Sequence, residues 1–532
     1  MAFSKSPTQD TYDTVEFPIY NDLNTRGFAG TAGSSEYAKD TKLLNLIVDG
    51  RINKLTGDKE ISFVKRCGTK AAISGITKRI VGLYWWASAS SEGRLIVLAK
   101  DADTTPADID IFSYDQPADT TDGEWVLNTT YDKALPAGYT LNSTTGVENY
   151  KVSFAEFQYD SGAVDLVISD EVGGTLVKIN QAGTLATCGD ADFPDGLIGI
   201  QFIDGYLVGA KPGTADLYNS NLNDPFLWTA GDFITAEQYG DPILAVAKHH
   251  NYIVAFGQNS IEFLYDAAVT SGSPFQRNVS YSKQIGYVRG LHVFGDLIYF
   301  LGHTEKGSID LFVIKDSEVH AVGGSLVQQF MAQYFYGTSA AYTLNSLYTS
   351  IVNCPKTGHN FYLMSQATAI TYALNLTNLT WSVWGYTGGG SFSVEFAQSF
   401  QAASPLRHFS VVAGPSVTGL VAFDANLYRD SGSTFLIDLQ TDSQDFGTMN
   451  QKYMHRLCLY TDKPTATLSI SVEYTDNDYQ TWSTARTIDL YQELPSMNRL
   501  GRFRRRAIRL SGSFNDDFTL YKIEVDINKG GH

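Results

Sequence analysis

The chain has few cysteines, few charged residues and no apolar run long enough to cross a bilayer. Its four cysteines, Cys67, Cys188, Cys354 and Cys458, are each separated by more than 100 residues and form no CxxC pair. This spacing argues against a zinc site and against a dense disulfide framework, so we expect free and mostly buried thiols. The longest strongly apolar run, Ile80 to Ala87, is too short to span a membrane, and no membrane insertion is expected.

Positive charge is also scarce. The 532 residues include 39 Lys and Arg against 57 Asp and Glu, which gives a formal net charge of −18. A general nucleic-acid binder carries a broad basic face, so this balance argues against that class. The net negative charge is compatible with the wall of a channel through which DNA slides, because acidic groups repel phosphates. The first residues are polar and lack the apolar core of a signal peptide, so we expect synthesis and folding in a cytoplasm.

Motifs of common enzymes are missing from the sequence. It contains no GxxxxGK[ST], HExxH or GxSxG pattern. His249 and His250 are adjacent, and in a strand they would face opposite sides, which disfavours a shared metal. The sequence therefore predicts no enzyme, no cofactor and no metal site.

What the sequence does contain is a recurring phrase, a turn residue followed by strand-forming apolar residues. Three copies begin at Gly205, Asn251 and Asp296, spaced by 46 and 45 residues, and a fourth begins at Asn360. This spacing is typical of four-stranded propeller blades. Similar phrases begin at Arg94, Asp165 and His408. The seven phrases predict a mainly β protein with a six- or seven-bladed β-propeller.

Three regions differ in composition. Residues 1–70 are predicted to form an N-terminal arm, and residues 71–430 the propeller. In the last hundred residues, apolar and polar side chains alternate strictly from Leu468 to Tyr474 and from Tyr521 to Ile527. This pattern predicts a C-terminal antiparallel, sandwich-like β-domain over residues 431–532. One helix is expected after Ser325, which we predict to cap it, because apolar residues there recur at helical spacing: Leu326, Val327, Phe330, Met331 and Tyr334.

The strongest basic focus is a cluster of six arginines near the C-terminus: Arg499, Arg502, Arg504, Arg505, Arg506 and Arg509. If a strand runs through Ile508 and Leu510, Arg505 and Arg509 face the solvent side. Their guanidinium groups suit carboxylates of a neighbouring subunit, carboxylates of the same chain, or DNA phosphates. The sequence leaves these three alternatives open.

The opposite charge is concentrated between Asp101 and Glu124, which contain eight acidic residues and no Lys or Arg. We predict a long exposed loop there. Its paired carboxylates, Asp101 with Asp103 and Asp108 with Asp110, leave a calcium site as a less favoured alternative. Near the C-terminus, Thr475 to Trp482 is similar to the Asp-box turn of sialidase-type propellers, which is a structural turn and no evidence of catalysis.

Several phrases together resemble the packaged-DNA stabilisation, or tail nozzle, proteins of short-tailed bacteriophages. The strongest runs from Asp195 to Trp228 and continues through Val254–Gly257 and Ser260–Phe263. Weaker phrases are Leu43–Asp49, Ile285–Tyr287, the helix after Ser325, and the closing Leu500–Leu510. Phe63–Thr69 resembles the family's "Arg-Pro-Gly" element, except that Cys67 replaces the proline.

The resemblance implies a structural virion protein: a homo-hexameric nozzle below the portal–adaptor ring, in the virion tail, assembled in the host cytoplasm. A tail plug, needle or fibre protein would close its far end, and DNA would pass through the lumen without sequence-specific binding. A ring of identical subunits needs two different contact surfaces on each subunit. The arginine cluster and the acidic loop carry opposite charges and could form such a contact. The alternatives are a carbohydrate-active propeller of sialidase or glycosidase type and a phage receptor-binding protein.

Overall fold

A computed structural model shows a mainly β protein with one α-helix in the part of the chain that it describes. The described residues are 13–19, 42–52, 59–73, 79–89, 93–100, 109–115, 126–127, 133–134, 152–170, 174–194, 196–236, 239–269, 271–336, 347–366, 371–385, 392, 394–403, 406–414 and 417–529. The predicted acidic loop, apart from Asp110 and its strand neighbours, lies largely outside these ranges, as do Asp101, Asp103 and Asp108.

The chain begins with five strands that pair far along the sequence. They are β1 (Asp13–Phe17), β2 (Lys42–Leu44), β3 (Leu46–Ile52), β4 (Lys59–Lys65) and β5 (Gly68–Ile73). The next strands form seven antiparallel sheets, numbered here along the chain. Sheets 1 to 3 consist of β6 (Arg79–Trp86), β7 (Arg94–Lys100), β8 (Ile109–Asp115), β9 (Val126–Leu127) and β10 (Lys133–Ala134); β11 (Val152–Gln158), β12 (Val164–Asp170), β13 (Leu176–Ile179) and β14 (Leu185–Thr187); and β15 (Ile198–Ile203), β16 (Tyr206–Ala210), β17 (Asp216–Asn221) and β18 (Asp224–Thr235).

Sheets 4 to 7 continue the same order, and the helix α1 (Gly324–Tyr336) lies between sheets 5 and 6. Their strands are β19 (Ile243–His249), β20 (Tyr252–Gly257), β21 (Ile261–Asp266) and β22 (Phe275–Lys283); β23 (Ile285–Phe294), β24 (Leu297–Thr304), β25 (Ile309–Lys315) and β26 (Glu318–Ala321); β27 (Leu347–Cys354), β28 (His359–Gln366), β29 (Thr371–Asn375) and β30 (Trp381–Trp384); and β31 (Phe396–Ala403), β32 (Leu406–Gly414) and β33 (Val417–Asp424). A short 3-10 helix, Ala87–Ala89, follows β6.

The sheets are arranged around a ring. The first strand of each sheet neighbours the first strand of the next, from β6 through β11, β15, β19, β23 and β27 to β31, and β31 lies against β6. Buried apolar clusters fill the space between consecutive sheets, including one shared by sheets 7 and 1. Each sheet therefore buries both faces against its neighbours.

Each of the seven recurring phrases lies at or near the start of the second strand of a different sheet. The second strand is the position with a pairing strand on either side and a neighbouring sheet over each face. In β12 and β20 every residue after the first is buried. A strand buried on both faces needs apolar residues at successive positions, so its sequence is a short continuous apolar run. The recurring phrase therefore marks the second strand of each sheet.

The strand β5 completes sheet 7 although it lies more than 300 residues earlier in the chain. Its Ile73 pairs with Leu420 of β33, and its Thr69 pairs with Phe423. The last sheet is thus built from both ends of the ring segment. This pairing ties the start of the ring to its end.

Nine described strands remain, of which all but the first two build a two-sheet sandwich together with β1 to β4. They are β34 (Arg429–Asp430), β35 (Ser433–Thr434), β36 (Leu436–Gln440), β37 (Lys452–Thr461), β38 (Ser469–Thr475), β39 (Arg486–Asp489), β40 (Ser496–Phe503), β41 (Ala507–Ser513) and β42 (Thr519–Lys529). One sheet has the order β3-β4-β42-β37-β40, with β1 also on β42, and the other runs β2-β36-β41-β38-β39 and continues through β30 into sheet 6. The short hairpin β34–β35 joins sheet 7 through β5. The two alternating segments predicted from the sequence fall in β38 and β42.

The described strands of the first 70 residues are part of these sheets. Phe17 of β1 pairs with Ile523 of β42, and Phe63 of β4 pairs with Leu520. Their side chains join the apolar core of the sandwich. The boundaries of the predicted arm and of the two domains stay predictions, with the qualification that β1, β2 and β4 pair with the C-terminal strands.

The helix α1 packs as its apolar spacing predicts. Leu326, Val327, Phe330 and Met331 are buried against sheets 5 and 6. Its N-terminus begins at Gly324, whose amide donates to Asp310 Oδ1 at 3.1 Å. The carboxylate that accepts from the helix end is therefore Asp310 of β25, and Ser325, the predicted cap, lies inside the helix. An acidic group at this end also complements the helix dipole.

Candidate assembly surface

The structure divides the six clustered arginines into paired and exposed members. They lie on β40, on β41 and on the turn between these strands. Arg506 and Arg509 are held by carboxylates of the same chain. Arg499, Arg502 and Arg504 are exposed to solvent. Local burial therefore gives neighbouring arginines different roles.

Arg506 is a structural residue with 1% of its surface exposed. Its Nε and Nη2 donate to the two carboxylate oxygens of Asp476 at 2.7 and 2.8 Å, and Nη1 donates to the carbonyl of Leu500 at 2.9 Å. The guanidinium carbon lies 4.0 Å from the ring centre of Tyr474 and 4.4 Å from that of Phe503. The forked pair and the two rings lock the end of β38 against β40.

Arg509 forms a second intrachain network on β41. Its Nε and Nη2 each donate to a carboxylate oxygen of Asp438 at 2.9 Å, and Nη1 donates to Glu473 at 3.3 Å. Lys42 donates to the same buried Asp438 at 3.1 Å. The hydrogen bond to Asp438 raises the pKa of Arg509 above its ordinary value. Ile508 and Leu510 point into the core, so Arg509 faces away from it as predicted, but it is half-buried and paired.

The exposed arginines lie where the two sandwich sheets end, because β40 is the end strand of one sheet and β39, which carries Arg486, is the end strand of the other. We call this surface the basic edge, and it consists of Arg486, Arg499, Arg502, Arg504 and Arg505. Arg486 donates to the backbone carbonyls of Asn498 and Arg499 at 2.9 and 3.3 Å, and Arg505 pairs with the exposed Asp478. Among the described residues, no ion pair holds the guanidinium groups of Arg499, Arg502 or Arg504. Their charge is available to a partner.

A second exposed surface lies on the outer strands of sheets 3 and 4. Leu227 and Phe233 of β18 are 49% and 40% exposed, and Val279 and Tyr281 of β22 are 66% and 36% exposed. Both strands are the last in their sheets, so one edge of each has no strand beside it in its sheet order. We call these four residues the outer-strand surface. Apolar side chains on open strand edges are typical of protein contact sites.

Of the predicted acidic partners, only Asp110 falls among the described residues. It lies in β8, opposite Ala99 of β7 and Ala134 of β10, and is half-buried. Its neighbours Asp101, Asp103 and Asp108 lie outside the described residues, so the proposed contact between acidic loop and arginine cluster stays a prediction. In the part of the chain that is described, no group of three or more His, Cys, Asp or Glu side chains is arranged to hold a metal ion.

A buried charged junction, which the sequence reasoning did not single out, joins the ring and the sandwich. Its centre is Arg66, between β4 and β5, which is fully buried. Nη1 donates to Asp430 Oδ1 at 3.1 Å, Nη2 pairs with the other oxygen, and Nε donates to Asn45 Oδ1 at 2.8 Å. A further bond of 2.8 Å reaches the carbonyl of Gly385 after sheet 6. All three nitrogens of this guanidinium thus meet oxygens, which come from Asn45, Asp430 and Gly385.

Lys65 is the second cation of the junction. Its Nζ donates to the carbonyl of Tyr428 at 3.1 Å and to that of Phe514 in the sandwich. The same nitrogen lies 4.7 Å from the ring centre of Phe435. Burial, reinforced by the neighbouring charge of Arg66, lowers the pKa of Lys65 to about 7. The ammonium group is therefore held at a cost, and its contacts bring Tyr428, which follows the ring, together with Phe514 of the sandwich.

The close packing of the junction also involves Gly68 and Lys356. A Cβ atom on Gly68 would lie 2.1 Å from the carbonyl oxygen of Arg429, so a larger residue cannot fit there without moving the backbone. Lys356, after β27, pairs with Asp517 of the sandwich and donates to the carbonyl of Lys65 at 3.3 Å. The sequence signal for this site was the run Lys65-Arg66 inside the apolar Phe63–Thr69 phrase.

The turn that resembles an Asp box is a structural turn here. Asn477 Oδ1 accepts from the amide of Thr481 at 3.0 Å, and its Nδ2 donates to the Thr481 hydroxyl at 2.8 Å. Tyr479 packs edge-on against Trp482 at 5.9 Å between ring centres. Asn477, which occupies the position of the aspartate in an Asp box, therefore stabilises this turn by hydrogen bonds. His249 accepts from the amide of Ser317 at 3.3 Å, which gives this buried histidine a structural partner.

The fold and these surfaces define a class of protein: a mainly β ring of small sheets with an attached β-sandwich and exposed charged and apolar edges. The Phage_stabilise family, described as Bacteriophage P22 Gp10, beta-propeller, matches residues 147–365. This match confirms the resemblance to the tail nozzle family of short-tailed phages and the β-propeller character of the segment. No helix of the described residues is long and apolar enough to span a membrane.

Other comparisons show only remote likeness. No curated protein sequence matches the chain. Among solved structures, the extracellular domain of a one-component system protein from B. thetaiotaomicron aligns with a TM-score of 0.37 and 11% identity, over 72% of this chain and 46% of that one. An exo-β-1,3-galactanase from Phanerochaete chrysosporium aligns with a TM-score of 0.26 and 9% identity, over 86% of this chain and 100% of that one. At these scores neither supports a functional argument.

Proposed function

We propose that this protein is the structural subunit of a phage tail nozzle, a homo-hexameric ring below the portal–adaptor ring. It retains packaged DNA and forms the channel through which DNA leaves. The observation that carries this proposal is the family match over residues 147–365. The role is steric and electrostatic, without catalytic turnover, and it places the protein in the virion tail.

The seven sheets are, in this proposal, the blades of a seven-bladed propeller. The order of first strands around the ring and the apolar cluster shared by sheets 7 and 1 support that blade count. Completion of sheet 7 by β5 would close the ring in the way that radial repetition requires, with only short protected edges. A rigid ring of this kind suits a subunit that must resist the pressure of packaged DNA.

Assembly into a hexamer requires two unlike surfaces on each subunit, since a cyclic ring is built from head-to-tail contacts. The basic edge supplies a positive surface, and the net charge of −18 leaves many carboxylates elsewhere on the chain to meet it. The outer-strand surface supplies an apolar contact. The acidic residues Asp101, Asp103, Asp108 and Asp110 remain the proposed partners of the arginines.

The same charge balance suits a channel. A net negative subunit gives phosphates little counterion release, so DNA gains little by binding to it. DNA would therefore pass without sequence-specific contacts. A tail plug, needle or fibre protein would close the distal opening.

Light scattering of the purified protein, alone and with a candidate adaptor ring, tests the proposal. We expect a hexamer in solution, or a monomer that becomes hexameric on the adaptor. The double variant R502E/R504E should lose this assembly, whereas K306E/K315E, which changes net charge equally at exposed lysines of sheet 5, should retain it. A monomer indifferent to the adaptor would contradict the nozzle proposal and make glycan hydrolysis the next assay.

A further inference from the structure

Two of the four cysteines meet inside the protein. Cys67 Sγ and Cys354 Sγ lie 3.0 Å apart, and both residues have no exposed surface. They are 287 positions apart in sequence, and both are free thiols. Cys67 belongs to the junction segment between β4 and β5, whereas Cys354 ends β27 of sheet 6.

The surroundings hold these two sulfur atoms in place. They lie in the apolar cluster between sheets 6 and 7, which includes Trp384, Phe361 and Phe392. The backbone of Cys67 is fixed because its carbonyl accepts from Arg66 Nη1 at 3.0 Å. A disulfide bond has a sulfur–sulfur length of about 2.05 Å, so closure requires an approach of about 1 Å.

The two thiols are also chemically unequal. Burial raises the pKa of Cys67, which keeps its proton. The hydrogen bond from Cys67 lowers the pKa of Cys354, because it stabilises a thiolate there. A thiolate is the reactive form of cysteine, so we expect the sulfur of Cys354 to react first with a small oxidant.

We propose that Cys67 and Cys354 form a redox-active pair that closes to a disulfide when a small peroxide reaches it, and thereby ties the junction to sheet 6. The Cys354 thiolate attacks one oxygen of hydrogen peroxide, the O–O bond breaks, and the leaving hydroxide takes up a proton to become water. The product is a sulfenic acid. Cys67 then attacks that sulfur, a sulfur–sulfur bond forms, and the hydroxyl leaves with the Cys67 proton as a second water.

The disulfide would link segments that are remote in the unfolded chain. A cross-link across such a large loop restricts the unfolded state strongly, which stabilises the folded one. Reducing conditions in a cytosol would keep the pair open, and an oxidising environment would close it. The cross-link would strengthen the contact between the first strands of the chain and the ring.

The test uses the full-length chain with Cys188 and Cys458 replaced by serine. After treatment with hydrogen peroxide and blocking of remaining thiols, peptide mass spectrometry should find the Cys67 and Cys354 peptides joined and lighter by two hydrogen atoms. The melting temperature should rise by several degrees and return to its starting value with dithiothreitol. The added substitution Cys67→Ser should abolish both the joined peptide and the shift.

Two results would overturn the proposal. One is the recovery of Cys354 as sulfinic acid without any joined peptide, and the other is recovery of both thiols unchanged under peroxide. If the chain with serine at positions 188 and 458 does not fold, peptide mapping of the peroxide-treated wild-type chain shows whether Cys67 and Cys354 are joined. In that digest, a peptide that links Cys67 to Cys188 or Cys458 instead would also contradict the assigned pair.

Discussion

The junction and the basic edge place the same kind of side chain in opposite surroundings. At the junction, Arg66 and Lys65 are fully buried and surrounded by oxygens and aromatic rings. At the basic edge, Arg502 and Arg504 are exposed, and in the described part of the protein no carboxylate pairs with them. A guanidinium group buried with its partners stabilises a fold, whereas one left in water is available for assembly.

The difference shows why charge clusters in the sequence are ambiguous. The six C-terminal arginines form one group along the chain, yet Arg506 belongs energetically with Arg66 rather than with Arg504. Removal of one partner of a buried pair leaves the other charge without compensation, whereas loss of an exposed charge is compensated by water. The comparison therefore predicts a graded series of mutational effects.

The largest effect is expected for Arg66→Ala. It would leave the fully buried Asp430 without its guanidinium partner, at a cost of about 3–5 kcal/mol in the free energy of unfolding. Chemical denaturation of wild type and variant measures this difference. The double variant R66M/D430L removes both charges and should recover part of the loss. A single variant as stable as the wild type would show that the junction does not hold the units together.

The second effect is a pH dependence of Lys65. Its pKa is lowered to about 7, below the unfolded value of about 10.4, because burial disfavours the charged form. Below pH 7 both states carry the proton, and the penalty is present in full. As the pH rises from about 7 to about 10, the folded state loses its proton first and the penalty disappears. The contribution of Lys65 to stability therefore increases with pH.

The measurement for Lys65 is a difference between wild type and Lys65→Met across this range. Subtraction removes the titration of tyrosines and cysteines that both proteins share. The stability of the wild type relative to the variant should increase by about 2–4 kcal/mol between pH 7 and pH 10. A constant difference would mean that the two carbonyls around Nζ keep the ordinary pKa of the ammonium group.

Arg506→Ala should have an intermediate effect. Its partner Asp476 keeps 36% side-chain exposure, so water can solvate the carboxylate that is left. We expect a loss of about 2–3 kcal/mol, because several charge-assisted hydrogen bonds and two ring contacts disappear. Arg506→Lys is the matched control, since it keeps the charge but not the forked geometry, and it should recover only part of the stability. Equal stability of the lysine variant and the wild type would contradict a geometric role.

Much of the ring could be predicted from sequence because its signals are local. The phrases at Gly205, Asn251 and Asp296 mark second strands that are buried on both faces, and the helix after Gly324 shows its apolar spacing directly. The pairings of β1 with β42 and of β5 with β33 could not be predicted in this way. They join segments hundreds of residues apart, and the local hydrophobic periodicity of a segment does not show which distant strand it pairs with.

The same limit applies to the candidate site. A run of arginines indicates positive charge but does not show which members are buried, because that depends on carboxylates brought in from other strands. Asp476, Asp438 and Glu473 lie 30, 71 and 36 positions from the arginines that they hold. The basic edge consists of the arginines that these carboxylates do not hold.

The smallest effect on stability is expected at the basic edge itself. Arg502→Ala and Arg504→Ala should each change the free energy of unfolding by less than about 0.5 kcal/mol, since exposed charges contribute little. If the edge contacts a neighbouring subunit, the same substitutions should nevertheless reduce assembly on the adaptor ring, and more strongly at low salt, where electrostatic contacts are least screened. Arg506→Ala gives the opposite pattern, with lost stability as its primary defect. Denaturation and light scattering on the same samples distinguish a loss of stability from a loss of assembly. A basic-edge variant that loses both in parallel would show that these arginines have a structural role like those of the junction.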